Sequence, residues 1–209
     1  DEFVILIEDL ENPTDYIQVA DRIQHSLSMP ADLGNHKVFI STSIGIVLGD
    51  TRYKRTEDVL RDADIAMYHA KKLGRGRYEV FEPAMLEALM TRLELETELR
   101  KAVENHEFVV HYQPILNLGD QRIIGYEALV RWQHPTRGLI SPAEFIPIAE
   151  EVGLIVPIGY WILEEACRQM RSWQERFPVE PPLILNVNMS NRQCGEVDLV
   201  ERISEILNI

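Results

Sequence analysis

Apolar positions along the chain change period several times, and each change predicts an element. Phe3 to Ile7 is a continuous apolar run, the pattern of a buried strand, with Asp1 and Glu2 at its entrance. Tyr16, Ala20, Ile23 and Leu27 recur at helical spacing behind Thr14, a capping residue, and Ser28 to Pro30 ends that helix. Lys37 to Leu48 returns to period two. Thr56 is placed to cap a second helix with Val59, Ala63, Met67 and Ala70 on its inner stripe and Gly74 at its end, before a short strand over Tyr78 to Phe81. Pro83 to about Asn105 carries leucines at helical spacing among charges, with Glu96 and Arg100 as an i,i+4 pair, and predicts a linking helix.

Beyond the linker, Phe108 to Ile115 and Gln121 to Trp132 read as a hairpin turned by Asn117 to Asp120. Ser141-Pro142-Ala143-Glu144 has the form of a capping box with proline at the first helical position, and Gly153 is placed to stop that helix. A long helix over about Val156 to Phe177, a strand over Leu183 to Met189 and a helix near Val197 to Leu207 follow. Helices alternating with strands after a hairpin predict an α/β class with a parallel barrel.

Composition narrows the partners. The 209 residues allow one large domain or two small ones, and 45% hydrophobic with 26% charged residues is an ordinary globular balance. The net charge is −13 and no block of Lys or Arg is present, which argues against a DNA or RNA polymer as ligand. A small anionic nucleotide stays open, because a metal and a few arginines reverse the potential locally. Cys167 and Cys194 show no ligand spacing and suit a reducing cytoplasm. No apolar run approaches the ~20 residues of a membrane span, so no membrane contact is expected of this segment. The abrupt start inside an apolar strand suggests a piece of a longer protein.

Candidate chemistry concentrates in Gly125 to Trp132, GYEALVRW. As a strand it places Ile123, Gly125, Glu127, Leu129 and Arg131 on one face and Tyr126, Ala128, Val130 and Trp132 on the other. Glu127 and Arg131 then lie roughly 13 Å apart along the strand, suited to two ends of one anionic ligand, or else each to a separate structural ion pair. On the strand from Leu183, Asn186, Asn188 and Ser190 share a polar face. Asn188 is either part of a site there or an amide satisfying loop backbone. Trp132, Phe145 and Trp161 read as core or wall, and His134 as structural.

These stretches resemble the EAL domain, the family that hydrolyses cyclic di-GMP: YQPI at Tyr112, the EAL tripeptide at Glu127, RWQHPTRG at Arg131, SPAEFIPIAEEVGLI at Ser141 and VNMSNRQ at Val187. The preceding part resembles the GGDEF domain, the diguanylate cyclase family, through Asp1-Glu2-Phe3, SIGIV at Ser43 and ADIAMYHAKKLGRGRY at Ala63. The expected division is 1–83 as the C-terminal part of GGDEF, 84–105 as a linking helix, and 106–209 as the N-terminal half of EAL. The implied folds are a cyclase-like α/β sheet and a modified barrel whose first strand is antiparallel.

The resemblance implies Mg²⁺ or Mn²⁺ as cofactor, Glu127 and Asn188 as its ligands, Arg131 on a phosphate of cyclic di-GMP and Gln113 near the ligand. In the cyclase half it implies Asp1 as a metal ligand, Glu2 in the substrate site, and Lys71 and Arg75 on GTP phosphates. Two bland readings remain: a solvated strand end for Asp1 and Glu2, and dipole stabilisation at a helix terminus for the cations. A homodimer is also implied, though no residue pattern establishes it. Further expected catalytic groups, a Glu, an Asp pair and a Lys, match positions beyond Ile209, so the chain alone is expected to be inactive and its parent a cyclic di-GMP phosphodiesterase. The alternatives are a diguanylate cyclase acting through the GGDEF half, or a non-catalytic cyclic di-GMP receptor.

Overall fold

A computed structural model describes residues 2–10, 12, 14–32, 34, 36–49 and 53–208. Contacts divide the chain into two units, Asp1–Thr91 and Arg92–Ile209.

In the first unit the helix α1 (Asp15–Ser28) precedes a two-residue antiparallel pair, β1 (Ala31–Asp32) and β2 (Lys37–Val38). Next, β3 (Ile44–Ile46) and β4 (Tyr78–Val80) pair in parallel, connected through α2 (Thr56–Lys72). Ile65, Ala66 and Ala70 are the buried apolar residues of α2. Gly45 lets β3 approach it, since a Cβ there would lie 1.9 Å from the Ala63 carbonyl oxygen. Glu57 and Asp58 stand in the first turn of α2 and His69, Lys71 and Lys72 in its last, matching the helix dipole. The chain leaves α2 through Gly74, Arg75 and Gly76, all with positive φ, and the Arg75 N–H donates to the Ala70 carbonyl at 3.2 Å.

Three expectations change here. Phe3 to Ile7 forms no strand and is exposed, Phe3 at 87%; an all-apolar strand needs both faces covered, and among the described residues nothing pairs with it. The period-two stretch from Lys37 to Leu48 is broken into β2 and β3, with 39–43 outside any strand. Thr56 is the first helical residue rather than the cap, a position taken by Arg55.

The second unit contains the C-terminal part of α3 (Pro83–Glu104), then β5 (Phe108–Leu116), β6 (Ile123–His134), β7 (Gly138–Ile140), α4 (Pro142–Val152), α5 (Ile155–Arg176), β8 (Ile184–Val187), α6 (Asn191–Cys194) and α7 (Leu199–Leu207). β6 is the central strand. β5 pairs with it antiparallel along nearly its whole length; on the opposite edge β7 pairs antiparallel near its end and β8 in parallel at Gly125 to Ala128. An antiparallel strand beside a parallel pair carried by helices is the mixed α/β arrangement the sequence implied.

The core lies between one face of β6 and the helices. Trp132 and Phe145 are fully buried, with Phe108, Val130, Ile140 and Ile158 around them and Leu95 and Leu99 of α3 closing one side. Phe108 touches the rings of Trp132, Phe145 and Trp161 at centroid distances of 6.2, 5.8 and 6.2 Å, confirming these aromatics as packing. The Trp132 indole N–H donates to Glu107 at 3.0 Å, so the buried ring keeps its hydrogen bond. α4 begins at Ser141, which accepts from Ala143 N–H rather than from Glu144, and ends on Gly153 in the left-handed region, φ 82°.

Candidate functional site

The alternation of β6 decides which side chains reach the open face of this sheet. Ala128, Val130 and Trp132 are buried in the core, while Glu127, Leu129 and Arg131 on the other face are half-buried. Register then sets their neighbours. Gln113 of β5 and Asn186 of β8 are the cross-strand partners of Glu127 on its two sides, His111 is opposite Leu129, and Val109 is opposite Arg131. Side chains directly opposite on such a sheet have Cβ atoms about 5 Å apart. Three strands therefore deliver Gln113, Glu127 and Asn186 in one row.

Asn188 joins them from just past the end of β8. Its side-chain amide donates to Glu127 Oε1 at 2.7 Å, a short contact between an amide donor and a carboxyl oxygen. The strand stops at Val187, shorter than expected, and Ser190 is not on its polar face: it caps α6 in a reciprocal box with Gln193. Ser190-x-x-Gln193 is the ordinary sequence signature of that box, a helix start masked by the alternating polar residues of the strand.

Arg131 donates from Nη1 to the Val130 carbonyl at 2.7 Å, and among the described residues no carboxylate pairs with it. Its guanidinium thus keeps donors for an anion. His134 is buried; its Nδ1 accepts from the Thr136 and Arg137 N–H groups at 3.3 and 3.1 Å, and its Nε2 lies 3.4 Å from Glu98. These bonds hold the turn after β6. Tyr112, on the core face of β5, stands edge-on to Trp173 at 4.8 Å. Burial pushes its phenol up to about 12, with the nearby Glu165 adding to the shift.

Among the described residues no group of three or more His, Cys, Asp or Glu side chains is placed to hold a metal ion. Glu127 and Asn188 offer instead a carboxylate and an amide, hard oxygen donors of the kind Mg²⁺ and Mn²⁺ take; Mg²⁺ commonly uses one or two carboxylates and keeps several waters. The donor set fits such an ion in kind.

In the first unit, Lys71 lies 3.9 Å from Glu2, and both line a cavity of about 340 Å³ with Asp64, Tyr68 and Leu89. Arg75 sits in the turn beyond α2. Asp1 lies outside the described residues.

Comparison with known proteins matches these features. Residues 96–209 fit the family model described as EAL domain, and residues 1–77 fit the one described as diguanylate cyclase, GGDEF domain. The chain belongs to the EAL domain family. Its EAL part follows a GGDEF part, as in the bifunctional diguanylate cyclase/cyclic di-GMP phosphodiesterase MucR of Pseudomonas aeruginosa, 43% identical over 99% of this chain and 30% of that protein. The cyclic di-GMP phosphodiesterase PdeR of Escherichia coli K12 is 39% identical over 99% of this chain and 31% of PdeR. The chain thus spans under a third of the length of these relatives. Its EAL fold superposes on a solved structure described as PaMucR phosphodiesterase, c-di-GMP complex, with a TM-score of 0.52 and 43% identity over 55% of this chain and 46% of that one. It also superposes on the EAL enzyme Bd1971 in its cAMP-bound form, with a TM-score of 0.54 and 33% identity over 59% of this chain and 35% of that one. Among the described residues no helix is long and apolar enough to cross a membrane.

Proposed function

We propose that the full-length protein is a cyclic di-GMP phosphodiesterase, and that Glu127, Asn188, Arg131 and Gln113 form one side of its active site. The observation that carries this reading is the 2.7 Å contact between Asn188 and Glu127 on the open sheet face, with Gln113 in the same row. Names and titles of relatives that bind or cleave cyclic di-GMP support the substrate.

In this proposal Glu127 and Asn188 hold a divalent ion, Mg²⁺ or Mn²⁺, through oxygen atoms. When bound, that ion supplies an activated water and polarises a phosphoryl oxygen. Arg131 grips a phosphate through its unpaired guanidinium N–H groups and orients the dinucleotide, and Gln113 adds an amide beside the carboxylate. Water adds at phosphorus, the P–O3′ bond breaks, and linear pGpG leaves with a new 5′-phosphate. In this reading 1–83, 84–105 and 106–209 are the GGDEF part, linking helix and EAL part, and this chain by itself, with Glu127 and Asn188 as two ligands of a site that needs more, is inactive. The protein works in the cytoplasm as a homodimer. Formation of pGpG from cyclic di-GMP by the full-length protein with Mg²⁺ or Mn²⁺ tests the reading, and its absence with the nucleotide still bound would favour a receptor.

A second activity is favoured by the placing of Lys71 beside Glu2 at a cavity. In this reading the GGDEF part takes GTP, with Asp1 on its metal, Glu2 in the substrate site, and Lys71 and Arg75 on phosphates. Conversion of GTP to cyclic di-GMP, lost in Lys71→Ala, is the test.

A further inference from the structure

Behind Asn188 lies a buried polar arrangement that the site above leaves unused. Gln193 is only 2% exposed. Its Oε1 accepts from the Ser190 N–H at 3.2 Å and from the Ser190 hydroxyl at 3.3 Å, and its own N–H donates to Ser190 Oγ at 3.2 Å. The amide rests on Gly159 of α5, where a Cβ would come within 2.2 Å of Nε2 and 2.3 Å of Oε1. Glycine at 159 is what makes room for it.

The helix this box caps, α6, has four residues. So short a helix gives a cap little to stabilise, and the arrangement acts instead on the chain entering it. β8 ends at Val187, which pairs with Ala128, and Ser190 is held by Gln193. Only Asn188 and Met189 lie between these two anchors, and neither is in a helix or strand. With one anchor gone, the Asn188 side chain loses its fixed direction toward Glu127.

We infer that Gln193, seated on Gly159, is a positioning residue: by fixing Ser190 it aims Asn188 at Glu127 and so sets the affinity of the site for its divalent cation. This rests on the reading of Glu127 and Asn188 as metal ligands. Outer partners that orient ligands typically contribute about 10–100-fold in metal affinity.

The test is Mn²⁺ titration of the full-length protein, read by electron paramagnetic resonance. Gln193→Met keeps the volume and removes the acceptor; its Kd for Mn²⁺ is expected to rise about tenfold or more. Ser190→Ala is expected to act similarly, Ser190→Thr to stay near wild type because the oxygen is kept, and the Ser190→Ala/Gln193→Met double variant to lose no more than either alone. A merely structural role would not produce recovery in Ser190→Thr. Wild-type Mn²⁺ affinity in both Gln193→Met and Ser190→Ala overturns the inference, and Ser190→Ala decides alone if Gln193→Met does not fold. Glu127→Ala in the same titration separates the two claims, with any Mn²⁺ held by the GGDEF part as a constant background: loss of one Mn²⁺ site there with no effect of Gln193→Met sinks only the positioning role, whereas an unchanged number of sites and unchanged affinities sink the ligand reading itself.

Discussion

Asn188 and Glu127, 61 positions apart in sequence, meet at 2.7 Å between the side-chain amide and Oε1. The contact exists because β8 pairs in parallel with β6 and stops one residue short of Asn188. If both side chains hold the ion, Asn188→Ala raises the Mg²⁺ or Mn²⁺ concentration needed for half-maximal hydrolysis by about 10–100-fold. As Asn188 is exposed, the change in folding stability should stay near 1 kcal/mol, the usual worth of one hydrogen bond. Metal-dependence curves alongside urea unfolding separate the two effects.

In the proposed site Arg131 is the cation on the face of Glu127, bonded only to the Val130 carbonyl among the described residues. Arg131→Ala is expected to weaken cyclic di-GMP binding by about 10–100-fold, and Arg131→Lys to recover only part of it, because a point charge does not reproduce a planar fork of donors. Calorimetric titration with the nucleotide checks this. Full recovery in the lysine variant would mean that only charge is read.

Gly125 is where β6 and β8 approach closely beside the proposed site. A Cβ there would lie 2.3 Å from the Ile184 carbonyl oxygen, within the β6–β8 pairing. Gly125→Ala should push β8 away and carry Asn188 with it, reducing Mn²⁺ affinity at least about tenfold while every ligand remains. The same Mn²⁺ titration reads it, and unchanged affinity would show that the strands absorb a methyl group without separating.

Tyr112 gives the fold an alkaline limit. Its hydroxyl is buried with no hydrogen-bond partner among the described residues, and burial raises its pKa to about 12, above the ordinary value near 10. The unfolded chain therefore loses the proton first, so the stability linked to this group is complete below about pH 10 and falls as pH rises toward 12. Tyr112→Phe should be neutral or stabilising at pH 8 and should flatten that alkaline decline. Urea midpoints at pH 8 and pH 11 for both proteins make the comparison.

The hairpin, the long helix and the burial of Trp132 were legible because each is local: a turn, a helical period, a strand alternation. Glu127 and Arg131 were placed on one face by alternation alone. The pairing of Glu127 with Asn188 was not legible from spacing, since it depends on β8 choosing β6 as its neighbour, and only the resemblance to EAL domains brought the two together beforehand. Phe3 to Ile7 failed for the opposite reason. Its pattern states a need for two covered faces, but a pattern cannot supply the neighbours. The Ser190 and Gln193 box is legible in the sequence as a helix start, but the alternation of Asn186, Asn188 and Ser190 carries a competing strand pattern over the same residues.

The most direct test is hydrolysis of cyclic di-GMP by the full-length protein and by its Glu127→Ala variant, each with Mg²⁺ or Mn²⁺. The expected result is pGpG formation that falls by at least about 10²-fold in the variant, since losing a metal ligand removes several kcal/mol of transition-state stabilisation. Equal hydrolysis by the two proteins would contradict the role of Glu127 and the site built around it.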